Sequence, residues 1–180
     1  MAAAMTFLMK YSSPVGVLQL ASDGEAVTGL WIEGQKYFAA TLEDDARERT
    51  DLPIFCAAVS WLDAYFAGRT LPALPALAPK GSPFRQAVWK LLLEIPCGKT
   101  TTYGALAQAL REQGVSASAQ AVGGAVGHNP ISILIPCHRV VGTSGSLTGY
   151  AGGMAVKQRL LELEGADMTG LYVPKRGTAL

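Results

Sequence analysis

No stretch of about 18 uninterrupted apolar residues occurs in the 180-residue chain, and the apolar run within Met1 to Lys10 is too short for a signal peptide. The sequence therefore predicts neither a membrane span nor export, and a cytoplasmic protein is expected. Cysteine is scarce. Cys56, Cys97 and Cys137 form an odd set without a Cys-x-x-Cys pair, which argues against a disulfide framework and against a structural zinc site. Histidine is scarcer still, with His128 and His138 alone. Nor is there an excess of charge of one sign: the net charge of +1 does not by itself imply a polyanionic partner. The balance hides an asymmetry, because residues 1–80 hold six Lys/Arg against nine Asp/Glu, net −3, and residues 81–180 hold nine against five, net +4. If an anion is bound, the second half is its candidate face.

What is present suffices for a folded core: 49% of residues are hydrophobic and 16% charged, enough for one or two small domains. β-rich stretches at Phe7 to Tyr11, Gly16 to Ala21 and Ala26 to Ile32, the last two joined by Ser22-Asp23-Gly24, predict a small antiparallel sheet. Phe55, Ala58, Leu62, Tyr65 and Phe66 share one face of a helix over 53–67, closed by Gly68. Pro72, Pro75 and Pro79 then mark an extended linker. The expected division is a sheet-and-helix domain over 1–68, a linker over 69–81 and a mainly helical domain over 82–180, an α+β protein overall.

The second half opens on Ser82 as N-cap and Pro83 at the first helical position, with Phe84, Val88, Leu91, Leu92 and Ile95 at helical spacing. Two short helices follow, one after Thr102 and one from about Ser116 to Gly127. Joined by a turn containing Gly114, they read as a helix-turn-helix. Ala, Gly and Ser dominate the second helix, so its backbone can press against another surface, or equally against a neighbouring helix of its own domain. Ile131 to Ile135 reads as a buried β run leading into Pro136-Cys137-His138-Arg139, and the last helix, about 154–164, ends at Gly165.

A cysteine between proline and histidine at the end of such a run is a candidate nucleophile, although isolated apolar cysteines are commonly inert core residues. A thiol of ordinary pKa is only a few per cent ionised at neutral pH, so it needs a base or a nearby positive charge. His138 is the nearest base. Adjacent residues in extended chain face opposite ways, which favours a bridging water over direct contact. Glu164 can orient His138 from the last helix, completing a nucleophile, base and orienter.

IPCHRVVG, preceded by AVGGAVGHNPISIL and followed by GSLTGYAGG and LLELEG, closely resembles the O6-alkylguanine-DNA alkyltransferases, in detail from Ser82 to Gly165 and more loosely before it. The resemblance implies DNA repair by direct damage reversal: a single irreversible transfer of the alkyl group from O6-alkylguanine, with O4-alkylthymine as a further candidate, to Cys137. It implies His138 as water-mediated base, Glu164 as its orienter and Asn129 as a hinge tying active-site backbone together. Tyr103 would help rotate the damaged nucleotide out of the stack, while Val140 and Tyr150 would line the base pocket. The backbone of Cys137 and Val140 would read the base edge, and Arg139 is expected on the DNA- or base-facing side. Ala119 and Gly123 would allow the second short helix into the minor groove of duplex DNA. The chain is expected to act as a monomer, without metal or cofactor. An S-alkyl cysteine has no good leaving group, which is why one turnover is expected.

The chain departs from that pattern at Gln120, where the family usually has an arginine that enters the base stack. Two other readings compete: a non-catalytic alkyltransferase-like lesion binder, which lacks the acceptor cysteine, and a papain-like thiol hydrolase, for which no Cys-His-Asn context is recognisable.

Overall fold

Three strands and a helix make the scaffold of the N-terminal unit. The structure, a computed structural model, describes residues 5–175, and the chain divides into two units, residues 1–80 with 130–134 and residues 81–129 with 135–180. In the first, β1 (Phe7–Ser13), β2 (Gly16–Ser22) and β3 (Val27–Ile32) form an antiparallel meander. Asp23 closes the β2–β3 turn by accepting the Glu25 and Ala26 N–H groups through Oδ1, and Gly24 takes the positive φ that the turn requires. A two-residue strand, β4 (Arg47–Glu48), lies parallel to β1, so the order is β3-β2-β1-β4. The sequence did not point to β4, since two charged residues display no alternation. Against the sheet α1 (Pro53–Phe66) buries Phe55, Ala58 and Leu62, which meet Leu18, Leu20 and Leu30 in the core.

The free edge of β3 is covered twice, which removes a template for strand addition. At Val27 the proline-rich segment pairs through Ala76 O and the Ala78 N–H, both at 2.8 Å. At Leu30, Pro130 O accepts the Leu30 N–H and the Ser132 N–H donates to Leu30 O. Residues 130–134 thus cluster with the N-terminal unit, not with the domain to which the expected division assigned them, because their backbone partners lie on β3.

Gly29, within β3, lies under the Trp31 ring: a Cβ there would stand 2.1 Å from the indole, and Trp31 is only 2% exposed. Gly29→Ala is expected to cost about 1–3 kcal/mol by overpacking. Denaturant unfolding of the full chain checks this, and an unchanged midpoint would contradict it.

In the second unit α2 (Pro83–Leu93), α3 (Tyr103–Glu112) and α4 (Ala119–Gly127) pack on one another and bury Val88, Trp89, Leu92, Leu110 and Val122, while α5 (Met154–Leu163) packs on the Cys137–Arg139 turn and buries Leu160. Ser82, Thr102 and Ser118 each accept a first-turn N–H as N-caps. Ser118 starts α4 three residues later than the spacing suggests. Ala117 stays outside the helix, its carbonyl accepting from Arg111 Nη1 at 2.8 Å. Trp89 Nε1 donates to Ala125 O and fixes α2 to α4. Strands β5 (Thr101–Thr102) and β6 (Val140–Val141) pair in parallel. Among the described residues no helix is long and apolar enough to cross a membrane.

Candidate active site

Two short devices bring the Cys137 motif together with distant residues. Pairing of β5 with β6 sets Thr101 opposite Val140, and β5 ends at Thr102, the cap of α3, so Tyr103 emerges beside the motif. Helix α5 then delivers Lys157 and, as its C-cap, Glu164. The motif itself is not strand-borne as expected. Ile131 bridges to Leu30, Ile133 turns with φ at 70°, and Cys137–Arg139 form a single 3-10 turn. Asn129 Nδ2 donates to Ile135 O at 2.9 Å, closing the base of the 130–134 loop.

Glu164 is the electrostatic centre. Its side chain is 1% exposed and accepts from His138 Nε2 at 2.6 Å, from Arg139 Nε and Nη2 at 2.9 Å each, and from the Gly98 N–H at 3.2 Å. Burial alone would raise its carboxyl pKa, but the hydrogen bonds of His138 and Arg139 and the charge of Arg139 outweigh burial and hold it well below the usual carboxylate range. A carboxylate can only accept, so His138 carries its hydrogen on Nε2 and its lone pair on Nδ1. That Nδ1 is buried and has no protein partner among the described residues. Burial, which outweighs the attraction of Glu164, lowers the imidazole pKa, and the resting ring is neutral.

Cys137 is 3% exposed. Burial pushes its thiol up, against the pull of the Asn129 side-chain hydrogen bond, of Lys157 and of the Cys137 and His138 backbone N–H groups. The resting sulfur is a protonated thiol surrounded by groups that favour its anion. Lys157 is one of these. Fully buried, it donates through Nζ to Val140 O and to Thr148 O, the latter at 3.1 Å, and lies 6.0 Å from the Tyr103 ring centroid. Burial draws its pKa down to about 8, with Cys137 acting in the opposite direction. The Tyr103 hydroxyl donates to the same Thr148 carbonyl at 3.0 Å. Burial and then Cys137 raise its pKa, so it remains a donor throughout the neutral range. Tyr150 stands edge-on to His138, ring centroids 6.4 Å apart.

The structure therefore gathers Cys137, His138, Glu164, Asn129, Tyr103, Val140 and Tyr150. Two expectations need revision. Arg139 does not face outward. It is 7% exposed, and its guanidinium is spent on Glu164 and, through Nη1, on Ile95 O at 2.6 Å, because a buried cation has to be paired. Gly123 is not on the open side of α4 but in its buried stripe with Val122, Ala125 and Val126. The exposed positions are Ala119, Gln120 and Ala121, with Gly124 and Gly127 half-buried; at the two glycines an added Cβ would meet nothing within 4 Å. The carbonyls of Cys137 and Val140 are not vacant, since each already accepts one intramolecular donor, although a carbonyl keeps a second lone pair. Lys157 was missed as a site residue. Its signal was a lysine sharing a helical face with Leu161.

Among the described residues no group of three or more His, Cys, Asp or Glu is placed to hold a metal. The family model described as "6-O-methylguanine DNA methyltransferase, DNA binding domain" matches residues 83–166, and "6-O-methylguanine DNA methyltransferase, ribonuclease-like domain" matches residues 7–73. A methylated-DNA--protein-cysteine methyltransferase of Mycobacterium tuberculosis is 46% identical over 84% of this chain and 88% of its own length. One of Haemophilus influenzae is 41% identical over 86% and 83%. Among solved structures, Mycobacterium tuberculosis OGT in complex with DNA superposes with a TM-score of 0.76 at 42% identity, covering 89% of this chain and 92% of that one. Similarity of this extent in sequence and fold, across both halves, means that the chain belongs to the 6-O-methylguanine DNA methyltransferase family.

Proposed function

We propose that this protein repairs DNA by moving the alkyl group of O6-alkylguanine onto its own Cys137. The observation that carries the reading is the His138 Nδ1 lone pair, held toward the interior while Nε2 is locked on an ionised Glu164. A neutral imidazole so fixed takes up a thiol proton through a bridging water, and the imidazolium formed is stabilised by the carboxylate already in place. The sulfur then attacks the alkyl carbon, the carbon–O6 bond breaks, and its electron pair returns to the guanine ring. Lys157 and the Asn129 amide stabilise the sulfur anion, and Tyr103 donates a hydrogen bond to the extruded base. The product is a thioether, a poor electrophile with no good leaving group, so one molecule repairs one lesion. O4-alkylthymine offers the same carbon–oxygen bond and is the secondary substrate.

The lesion is stacked in duplex DNA, so the nucleotide must leave the helix, at a cost of a few kcal/mol that a poorly paired base lowers. Entry of α4 into the minor groove supplies the position for this step. Its outer edge of Ala119, Gly124 and Gly127 has little or no side chain to hold the backbone away. Gln120 on the same exposed first turn fills the gap without charge. Gln120→Arg is expected to tighten binding to lesion-bearing duplex roughly tenfold by adding stacking and a cation. Fluorescence anisotropy at fixed salt checks this, and unchanged or weaker binding would refute it.

A non-catalytic lesion binder is the second reading, favoured by the covered sulfur and by Gln120. Intact mass after mixing with an O6-methylguanine duplex separates the two: the repair reading requires a gain of one methylene on the peptide holding Cys137, and no gain leaves the lesion binder.

A further inference from the structure

The thiol is covered, and the Tyr103 hydroxyl is committed to Thr148 O. For Tyr103 to donate to a base, its bond to Thr148 O has to break, which frees one inner attachment of the chain around Thr148 to Tyr150. That stretch belongs to a loop, 142–150, bonded within itself by the Gly142 N–H to Ser146 O, the Gly145 N–H to Gly142 O and Ser146 Oγ to Thr148 Oγ1 at 3.4 Å. Gly145 and Gly149 adopt positive φ. From the inside the loop is held by the site, through Tyr103 and Lys157 on Thr148 O. From the outside it is held by the segment that follows α5.

We propose that Met168 to Tyr172 is the positioning element of this loop, and through it a determinant of how large an alkyl group reaches Cys137. The inference rests on the alkyl-acceptor reading above. The contact is specific. Tyr172 bridges Ser146 in parallel: its N–H donates to Gly145 O and its carbonyl accepts the Leu147 N–H, both at 3.0 Å. The Tyr172 hydroxyl lies 3.1 Å from Ser144 Oγ. Gly145 is the only residue type that fits there, since a Cβ would stand 2.0 Å from Gly170 O. Beneath this ladder Leu147 is buried with Val141, Leu161 and Ala166, and Met168 and Leu171 close the cluster.

The division of labour follows from these two attachments. When Tyr103 turns to a base, the loop loses an inner hydrogen bond, and the outer ladder and Leu147 keep the displacement local to Thr148–Tyr150. A loop free at both ends would open widely and accept bulky groups. One held on its outer edge opens narrowly and favours small ones.

The test compares the unsubstituted chain with Tyr172→Pro, which removes the N–H that bonds Gly145 O, and with Tyr172→Phe, which keeps both backbone bonds. Rate constants are measured by intact mass for O6-methylguanine duplex and for free O6-benzylguanine. Tyr172→Pro is expected to raise the benzyl-to-methyl ratio roughly fivefold, the effect of about one net hydrogen bond, and Tyr172→Phe to leave it in place. A merely structural role would slow both reactions alike and leave the ratio unchanged, which would overturn the proposal. Should Tyr172→Pro not fold, hydrogen exchange on the unsubstituted chain decides: matched, slowed exchange of the Leu147 and Tyr172 amides supports the brace, and fast exchange of both overturns it. If the unsubstituted chain gains no mass from either probe, the alkyl-acceptor reading itself has failed, whereas mass gain with an unmoved ratio sinks the brace alone.

Discussion

Cys137→Ser is expected to abolish alkyl acceptance altogether: no mass gain on any peptide after prolonged incubation with methylated duplex, against complete conversion of the unsubstituted chain. The substitution keeps the volume nearly unchanged, and the Asn129 amide and nearby backbone N–H groups that face the sulfur can bond a hydroxyl, so a stability change of about 1 kcal/mol is the most it should cause. A serine hydroxyl is far too weak an acid for His138 to ionise without the acyl-type electrophile that serine enzymes attack. Cys56 and Cys97 serve as controls, because both remain and both are exposed. The Cys97 thiol lies beside the same network, but burial and then Glu164 push its pKa up, so accessibility alone should not make it an acceptor. Methyl found on Cys97 or Cys56, or continued repair by the serine variant, would remove Cys137 from the mechanism.

Glu164→Gln should have the next largest effect, on rate and on stability together. The carboxylate accepts four donors in the interior, and its loss leaves the Arg139 guanidinium buried without a counter-charge, a cost of about 3–5 kcal/mol. A glutamine amide can also turn either end toward Nε2, so His138 no longer holds a single tautomer; a rate loss of roughly 10²–10⁴ is expected for a general base so released. The pH dependence carries its own sign. Glu164 has a folded pKa below its unfolded value of about 4.3, so its contribution is fully present above that pH and is lost as the pH falls below it. His138 also has a folded pKa below its unfolded value of about 6.5; the unfolded chain therefore takes up a proton first, and stability declines as the pH drops from there. Unfolding free energy of the unsubstituted protein should thus fall in two stages on acidification, and Glu164→Gln should shrink the lower one, leaving the part carried by Asp51 and Asp167. Chemical denaturation at a series of pH values checks both points; a variant with the parent's acid profile would show that Glu164 is not the anion that the geometry describes.

Much of the fold could be read from local pattern. The sheet-and-helix first half, the N-cap at Ser82, the helix start after Thr102 and the Asp23-Gly24 turn all depend on residues within a few positions of one another. The nucleophile, base and orienter were nameable because residue type restricts the chemistry each can do. Arg139 was misread for want of a partner: the resemblance was taken to imply a DNA- or base-facing role, but its counter-charge stands 25 residues away on the end of α5. Gly123 was misread because the resemblance set it against the DNA groove, whereas helical spacing puts it with Val122 and Val126 on the stripe that the structure buries. Residues 130–134 looked like a strand of their own domain because an apolar run does not name the edge on which it pairs.

By itself, then, the sequence determined the α+β class, the starts of α2 and α3, the motif and the kind of reaction its side chains can support, since these follow from backbone preference and from functional-group chemistry. Only the tertiary structure decided which nitrogen of His138 is free, that Lys157 and Arg139 belong to the interior, and that the thiol rests covered beside a loop pinned by Tyr172. Those are matters of distance and burial. They arise when segments far apart in the chain exclude water from one another, and water exclusion is what moves a proton or forces a charge to find its partner.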